Sequence, residues 1–255
     1  MFSFLNELPL MLLGLPAILL SLSIHEAAHG YAAYKLGDPT AKNLGRLTLN
    51  PLKHINPFGF LAMLFFRVGW ANPVPINTRF FKKPRRDMAL ASAAGPFSNL
   101  CLGVIFTLLL RLVLIPIANL ADGLYMVSNG RYYIDESLQE NPTFLILSLI
   151  AVLLYLGISL NFNLMFFNLI PLPPLDGSRI AYIFLPTDLY FKVMRYERYI
   201  MIIFIVLLAT GVISLPLGIL TGGITNLLYS ITGMPEDLLT VVISDILNRL
   251  PTFSL

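Results

Sequence analysis

The 255-residue chain has three histidines, and two of them fall in His25-Glu26-Ala27-Ala28-His29. Residues four apart share one face of a helix. Both imidazoles can therefore reach a single zinc ion, with Glu26 beside them to take a proton from a metal-bound water. Three ionisable groups at the inner end of an apolar span are costly to place without a purpose. Two imidazoles leave such an ion short, because a catalytic zinc takes three protein ligands and a water. Asp176 is the sole acid between Glu140 and Asp188, within Asn168-Leu-Ile-Pro171-Leu-Pro173-Pro174-Leu175-Asp176-Gly177. A carboxylate in an apolar run calls for a partner, and a metal is the strongest available. Capping a helix that begins near Gly177 is the competing reading. Pro171, Pro173 and Pro174 break the helix before Asp176, and Gly177 permits a tight turn, so the kink can aim a side chain across a bundle.

The elements that must position these groups follow from composition. Hydrophobic residues make up 56% of the chain and charged residues 12%, against about 25% charge in soluble domains. A soluble enzyme and a disordered chain are both excluded. The single cysteine, Cys101, can form no internal bridge and is expected as an inert core residue. No charge occurs in Leu8–Ile24, Met88–Leu110, Asn141–Leu175 or Tyr199–Pro235. A helix needs about 20 apolar residues to cross a bilayer core, so each window holds one span. The third adds an irregular segment, and the fourth a Gly/Pro-broken stretch. The first window lacks a basic start, which reads as a retained helix and not a cleaved signal peptide.

Lys and Arg set the orientation. Lys35, Lys42, Arg46 and Lys53 follow the first span, and Arg79, Lys82, Lys83, Arg85 and Arg86 precede the second. Residues 117–140 instead carry four acids and one arginine. The N-terminus is expected outside and the basic loops in the cytoplasm, with the His/Glu cluster at that side. These basic runs accompany no aromatic-interleaved face, so nucleic acid is not an expected partner. Between the first two spans, residues 38–84 hold six prolines. Arg46–Asn50 and Pro73–Asn77 alternate like short strands, and Phe58–Val68 is apolar but too short to span. The expected fold is an all-α polytopic membrane protein. It has a three-helix core, one or two C-terminal spans, and a short re-entrant or β-strand element between the first two core helices. Residues 1–255 read as one membrane-embedded domain, with its core at about 8–190 and a helical tail at 199–255.

His25-Glu26-x-x-His29 together with Asn168-x-x-Pro171-x-Pro173-x-Leu175-Asp176-Gly177 resembles the site-2 protease family of intramembrane zinc metalloproteases. Gly95-Pro96-Phe97-Ser98-Asn99 resembles that family's Gly-x-x-x-Asn motif. Lys35-Leu-Gly-Asp38-Pro, Gly45-Arg-Leu-Thr-Leu-Asn50-Pro and Gly69-Trp-Ala-Asn-Pro-Val-Pro75 look like its compact prokaryotic branch, with neither PDZ-like nor CBS-like regions. The likeness covers roughly residues 15–185. It implies one Zn²⁺ held by His25, His29 and Asp176, with Glu26 as general base and later general acid. It further implies that Asn168 hydrogen-bonds the substrate, that transmembrane proteins are the substrates, and that the lipid bilayer of a prokaryotic cell membrane is the setting.

Other readings attach to the remaining residues. Asn99 lies on a small-residue face with Ala91, Ala94, Gly95 and Ser98, as expected of helix-packing glue. His54, in a Pro-flanked loop, reads as interfacial more readily than as a ligand. A divalent-metal transporter, a catalytically silent relative that binds membrane proteins, and a zinc protease for soluble peptides are the competing functions.

Overall fold

The structure, a computed structural model, describes residues 3–59, 71–121, 125–128 and 131–250. Helix α1 spans Ser3–Lys35 and the single turn α2 spans Thr40–Asn43. The long helix α3 runs Pro84–Ala121. A hairpin of β1 (Tyr125–Ser128) and β2 (Arg131–Ile134) follows, then α4 (Glu136–Gln139) and α5 (Pro142–Leu169). The chain ends through α6 (Asp176–Ala181), α7 (Thr187–Ala209), α8 (Ser214–Thr232) and α9 (Glu236–Arg249).

Four helical segments are long and apolar enough to cross a membrane: Leu8–Lys35, Pro84–Leu120, Pro142–Leu169 and Ser214–Thr232. The protein is thus a largely helical integral membrane protein. Its helix ends are written locally. Pro84 and Pro142 open α3 and α5, where a missing N–H costs nothing. The Asn141 side chain caps α5 by accepting from Thr143 and Phe144. Gly37, at φ +111°, ends α1 in a conformation that favours glycine. Ile105, Leu108, Leu112 and Ile115 stand exposed along α3, as apolar side chains do when their solvent is lipid. Cys101 is also exposed on this helix and not in the core as expected.

Two differences from the expected layout have physical reasons. The last apolar window divides otherwise than its composition suggests. Tyr199–Leu208 completes α7, which Gly211 (φ +74°) terminates, and the span is the Gly/Pro-containing α8. Pro216 sits in the first turn of α8, where proline is tolerated. Residues 46–50 and 73–77 run as irregular chain, unpaired as strands. Among the described residues of this region an isolated antiparallel bridge, Ile55–Ala71, is what pairs. The apolar stretch at 58–68 lies outside the described residues beyond Gly59.

The chain divides into two compact units. One comprises residues 1–18, 102–160 and 224–255. There Phe144, Val152, Leu110, Leu114, Val241 and Val242 are fully buried, and α9 packs on β2. Gly157 lets α5 approach the Phe106 ring, which a Cβ at that position would meet at 2.5 Å. The other unit comprises residues 19–101 and 161–223 and holds every residue of the candidate site. Its small core joins Ala33, Phe81 and Ala91 with Leu36, Ile76 and Met88.

Candidate metal centre

Helix α1 puts His25 and His29 one turn apart, both buried, with ring centroids 4.6 Å apart and planes nearly perpendicular. Each ring spends its Nδ1–H on α3. His25 donates to the Asn99 side-chain oxygen at 2.5 Å, and His29 to the Ala91 carbonyl at 2.8 Å. Each Nε2 is then a bare lone pair, and the two lie 3.0 Å apart. Asp176 Oδ2 stands 3.3 Å from the first and 3.1 Å from the second.

Three electron-rich atoms this close require a cation among them, whether a proton or a metal ion. Ligands about 2.0–2.1 Å from a tetrahedral zinc lie about 3.4 Å from one another. The donor triangle has nearly that size, and imidazole nitrogen and carboxylate oxygen are zinc donors. The residues present therefore fit a zinc ion.

Helix α3 can approach because residue 95 is glycine: a Cβ there would lie 2.4 Å from the His29 ring and 2.6 Å from that of His25. Thus Gly95 clears space for the rings while Asn99, one turn on, holds one of them. Asp176 is the first residue of α6, and no side-chain bond caps that helix at Leu175. Its carboxylate turns to the imidazoles and not back to the backbone. Gly177 presses on the end of α5, where a Cβ would strike the Leu169 carbonyl oxygen at 2.3 Å. Burial alone would raise the Asp176 carboxyl; in the metal-free protein, imidazoles that take a proton on Nε2 hydrogen-bond to it, outweigh burial and hold it at about 2.

Glu26 lies on the same cavity, of about 410 Å³, and accepts the Val74 backbone N–H at 2.8 Å. The strap carrying Val74 is tied down by side chains. Buried Asp38 accepts the Asn77 N–H at 2.6 Å and the Thr40 N–H at 2.9 Å. Arg46 donates to the Asn72 carbonyl at 2.7 Å. Asn168 also lines the cavity, but its amide nitrogen donates back to the Leu164 carbonyl at 2.9 Å.

The structure brings His25, Glu26, His29, Asp176 and Asn168 to one cavity, with Asn99 directly behind His25. His54 is elsewhere. It is buried, and its Nε2 holds the Thr48 carbonyl at 2.8 Å. Three participants have no role assigned by the sequence reading. Ser92 is a buried residue that lines the cavity. Buried Asp38 anchors the strap. Asn161 accepts from the Asn99 amide at 2.8 Å. Asn161 did carry a signal, as a polar residue inside an apolar span. The backbone donor of Val74 carried none.

The model of Peptidase family M50 matches residues 13–211. The candidate zinc metalloprotease YwhC of Bacillus subtilis (strain 168) is 42% identical over 193 residues, covering 76% of this chain and 78% of that protein. A candidate zinc metalloprotease Rip2 of Mycolicibacterium smegmatis is 34% identical over 99 residues, covering 36% of this chain and 38% of its own length. Rip2 of Mycobacterium tuberculosis (strain ATCC 25618 / H37Rv) is 35% identical over 105 residues, or 39% of this chain and 40% of that protein. No solved structure matches the chain. A match across residues 13–211, over a membrane protein with these converging donors, places the chain in peptidase family M50, the zinc metalloendopeptidases of site-2 protease type.

Proposed function

We propose that this protein cuts peptide bonds in or near the transmembrane segments of other membrane proteins, at one zinc ion within its own helices. The observation that carries this reading is the 3.0–3.3 Å triangle of His25 Nε2, His29 Nε2 and Asp176 Oδ2 on a cavity shared with Glu26. Zinc bound there supplies Lewis acidity and a water acidified toward pKa ~7.

The remaining work belongs to the chain. Glu26 accepts the proton at a carboxylate oxygen and returns it to the leaving amine nitrogen. The Val74 N–H holds that carboxylate on the cavity. Asn168 exchanges the Leu164 carbonyl for the substrate, since an amide both donates to and accepts from a peptide group. A transmembrane helix shields its own peptide bonds, so the favoured substrate carries Gly or Pro near the cut, where unwinding is easiest. The lysine and arginine distribution supports an N-terminus outside and an active site toward the cytoplasm of the cell membrane.

The test is cleavage of a model transmembrane substrate by purified protein in proteoliposomes, beside Glu26→Gln. Wild type is expected to cut, and the variant to keep its zinc while losing cleavage. Cleavage undiminished in Glu26→Gln would remove the general-base role. Zinc transport without proteolysis would replace the whole reading.

A further inference from the structure

The two histidines differ in what fixes them. His29 donates to a backbone carbonyl, which can only accept, so its bare nitrogen is always Nε2. His25 donates to a side-chain amide, which can turn over. With Asn99 reversed, an NH₂ group would face Nδ1, the ring proton would move to Nε2, and that nitrogen could no longer take a metal. Something must therefore hold the Asn99 amide one way round.

Beyond Asn99 the hydrogen bonds continue through fully buried groups on two further helices. The Asn99 nitrogen donates to Asn161 Oδ1 at 2.8 Å, and the Asn161 nitrogen donates to Ser21 Oγ at 2.8 Å. Each amide turns its oxygen toward the histidine and its nitrogen away, from α1 through α3 to α5 and back to α1. We propose that Asn161, backed by Ser21, is a positioning residue that sets the tautomer of His25. It does so by accepting from Asn99, and so keeps Asn99 accepting from the imidazole. The inference rests on the reading of His25 as a metal ligand. It needs no assumption about Glu26 or proteolysis.

The experiment reads metal and tautomer, not activity. With only three histidines in the chain, ¹⁵N-histidine labelling resolves each ring. In zinc-free wild type His25 is expected to carry a proton on Nδ1, whether or not Nε2 also takes one from the Asp176 side; a ring protonated at Nε2 alone overturns the proposal without any variant. Asn161→Leu is expected to give mixed tautomers at His25 alone and to weaken Zn²⁺ binding about 10- to 100-fold, the range for partners behind a metal ligand. Asn161→Asp still accepts from Asn99 and is expected to keep both properties near wild type. If the leucine variant binds zinc as wild type does, or the aspartate variant fails as badly, Asn161 does not act through tautomer choice. Loss of zinc in Asp176→Ala with an unaltered His25 tautomer separates this proposal from the ligand assignment.

Discussion

The Glu26 carboxylate is held by the backbone N–H of Val74, 48 residues along the chain, at 2.8 Å. A side chain proposed to take up and return a proton is thereby aimed by an atom no side-chain substitution removes. Proline does remove it, and the flanking residues 73 and 75 are already prolines. Val74→Pro deletes a hydrogen bond to a charged group, about 1.5–3 kcal/mol. Cleavage is expected to fall roughly 10- to 100-fold with zinc content unchanged. Turnover measured beside metal analysis checks this; an equal loss of zinc would mean that the strap supports the ligands and not Glu26.

Gly95→Ala places a methyl group 2.4 Å from the His29 ring. Neither ring has slack, since each is tied to α3 through its Nδ1. Overpacking of this kind costs about 1–3 kcal/mol. The variant is expected to melt lower and to bind zinc weakly, as read by thermal denaturation and elemental analysis. Gly218→Ala, inside α8 where a Cβ meets nothing within 4 Å, is the control and is expected to leave zinc binding unchanged without lowering the melting midpoint.

Asp38 is fully buried and holds both the turn after α1 and the strap at Asn77. Asp38→Ala strands the N–H groups of Thr40 and Asn77, at about 1–3 kcal/mol each. The strap is expected to open to protease first, with new cleavage between residues 71 and 81, while α5 stays protected. Mass spectrometry of limited digests shows whether cutting begins there.

The depressed Asp176 carboxyl predicts an acid limb for the metal-free protein. Its folded value of about 2 lies below the unfolded value of about 3.9, so the ionised form stabilises the fold above about pH 4. That contribution, on the order of 2 kcal/mol, is lost as pH falls from about 4 to 2. Asp176→Asn is expected to lack this limb. Chelator-treated wild type and variant, melted across pH 2–6, give the comparison, and parallel curves would refute it.

Much of the site is legible because its signals are local. The spacing of His25 and His29 follows from helical periodicity, and Asp176 stands out as an acid alone in an apolar run. What escapes is long-range or main-chain. The alternation in 46–50 and 73–77 suggests strands, yet Asp38, Arg46 and Glu26 take up strap backbone groups that a partner strand would have bonded. Asn99 reads as packing because its spacing from Gly95 fits a small-residue seam. Its bonds to His25 and Asn161 join positions 74 and 62 residues apart, which no local pattern encodes. The C-terminal span is misplaced because glycine and proline usually mark breaks, whereas α8 carries Gly218, Gly222 and Gly223 in its interior.

The buried sequence of imidazole, two amides and a hydroxyl also bears on how the protein is built. Hydrocarbon offers no substitute partner for a polar atom. If α3 or α5 inserted one turn too shallow or too deep, Asn99, Asn161 and Ser21 would all lose their matches at once. The atoms that orient His25 thus act as a registration mark, rejecting misaligned bundles before any ion is taken up.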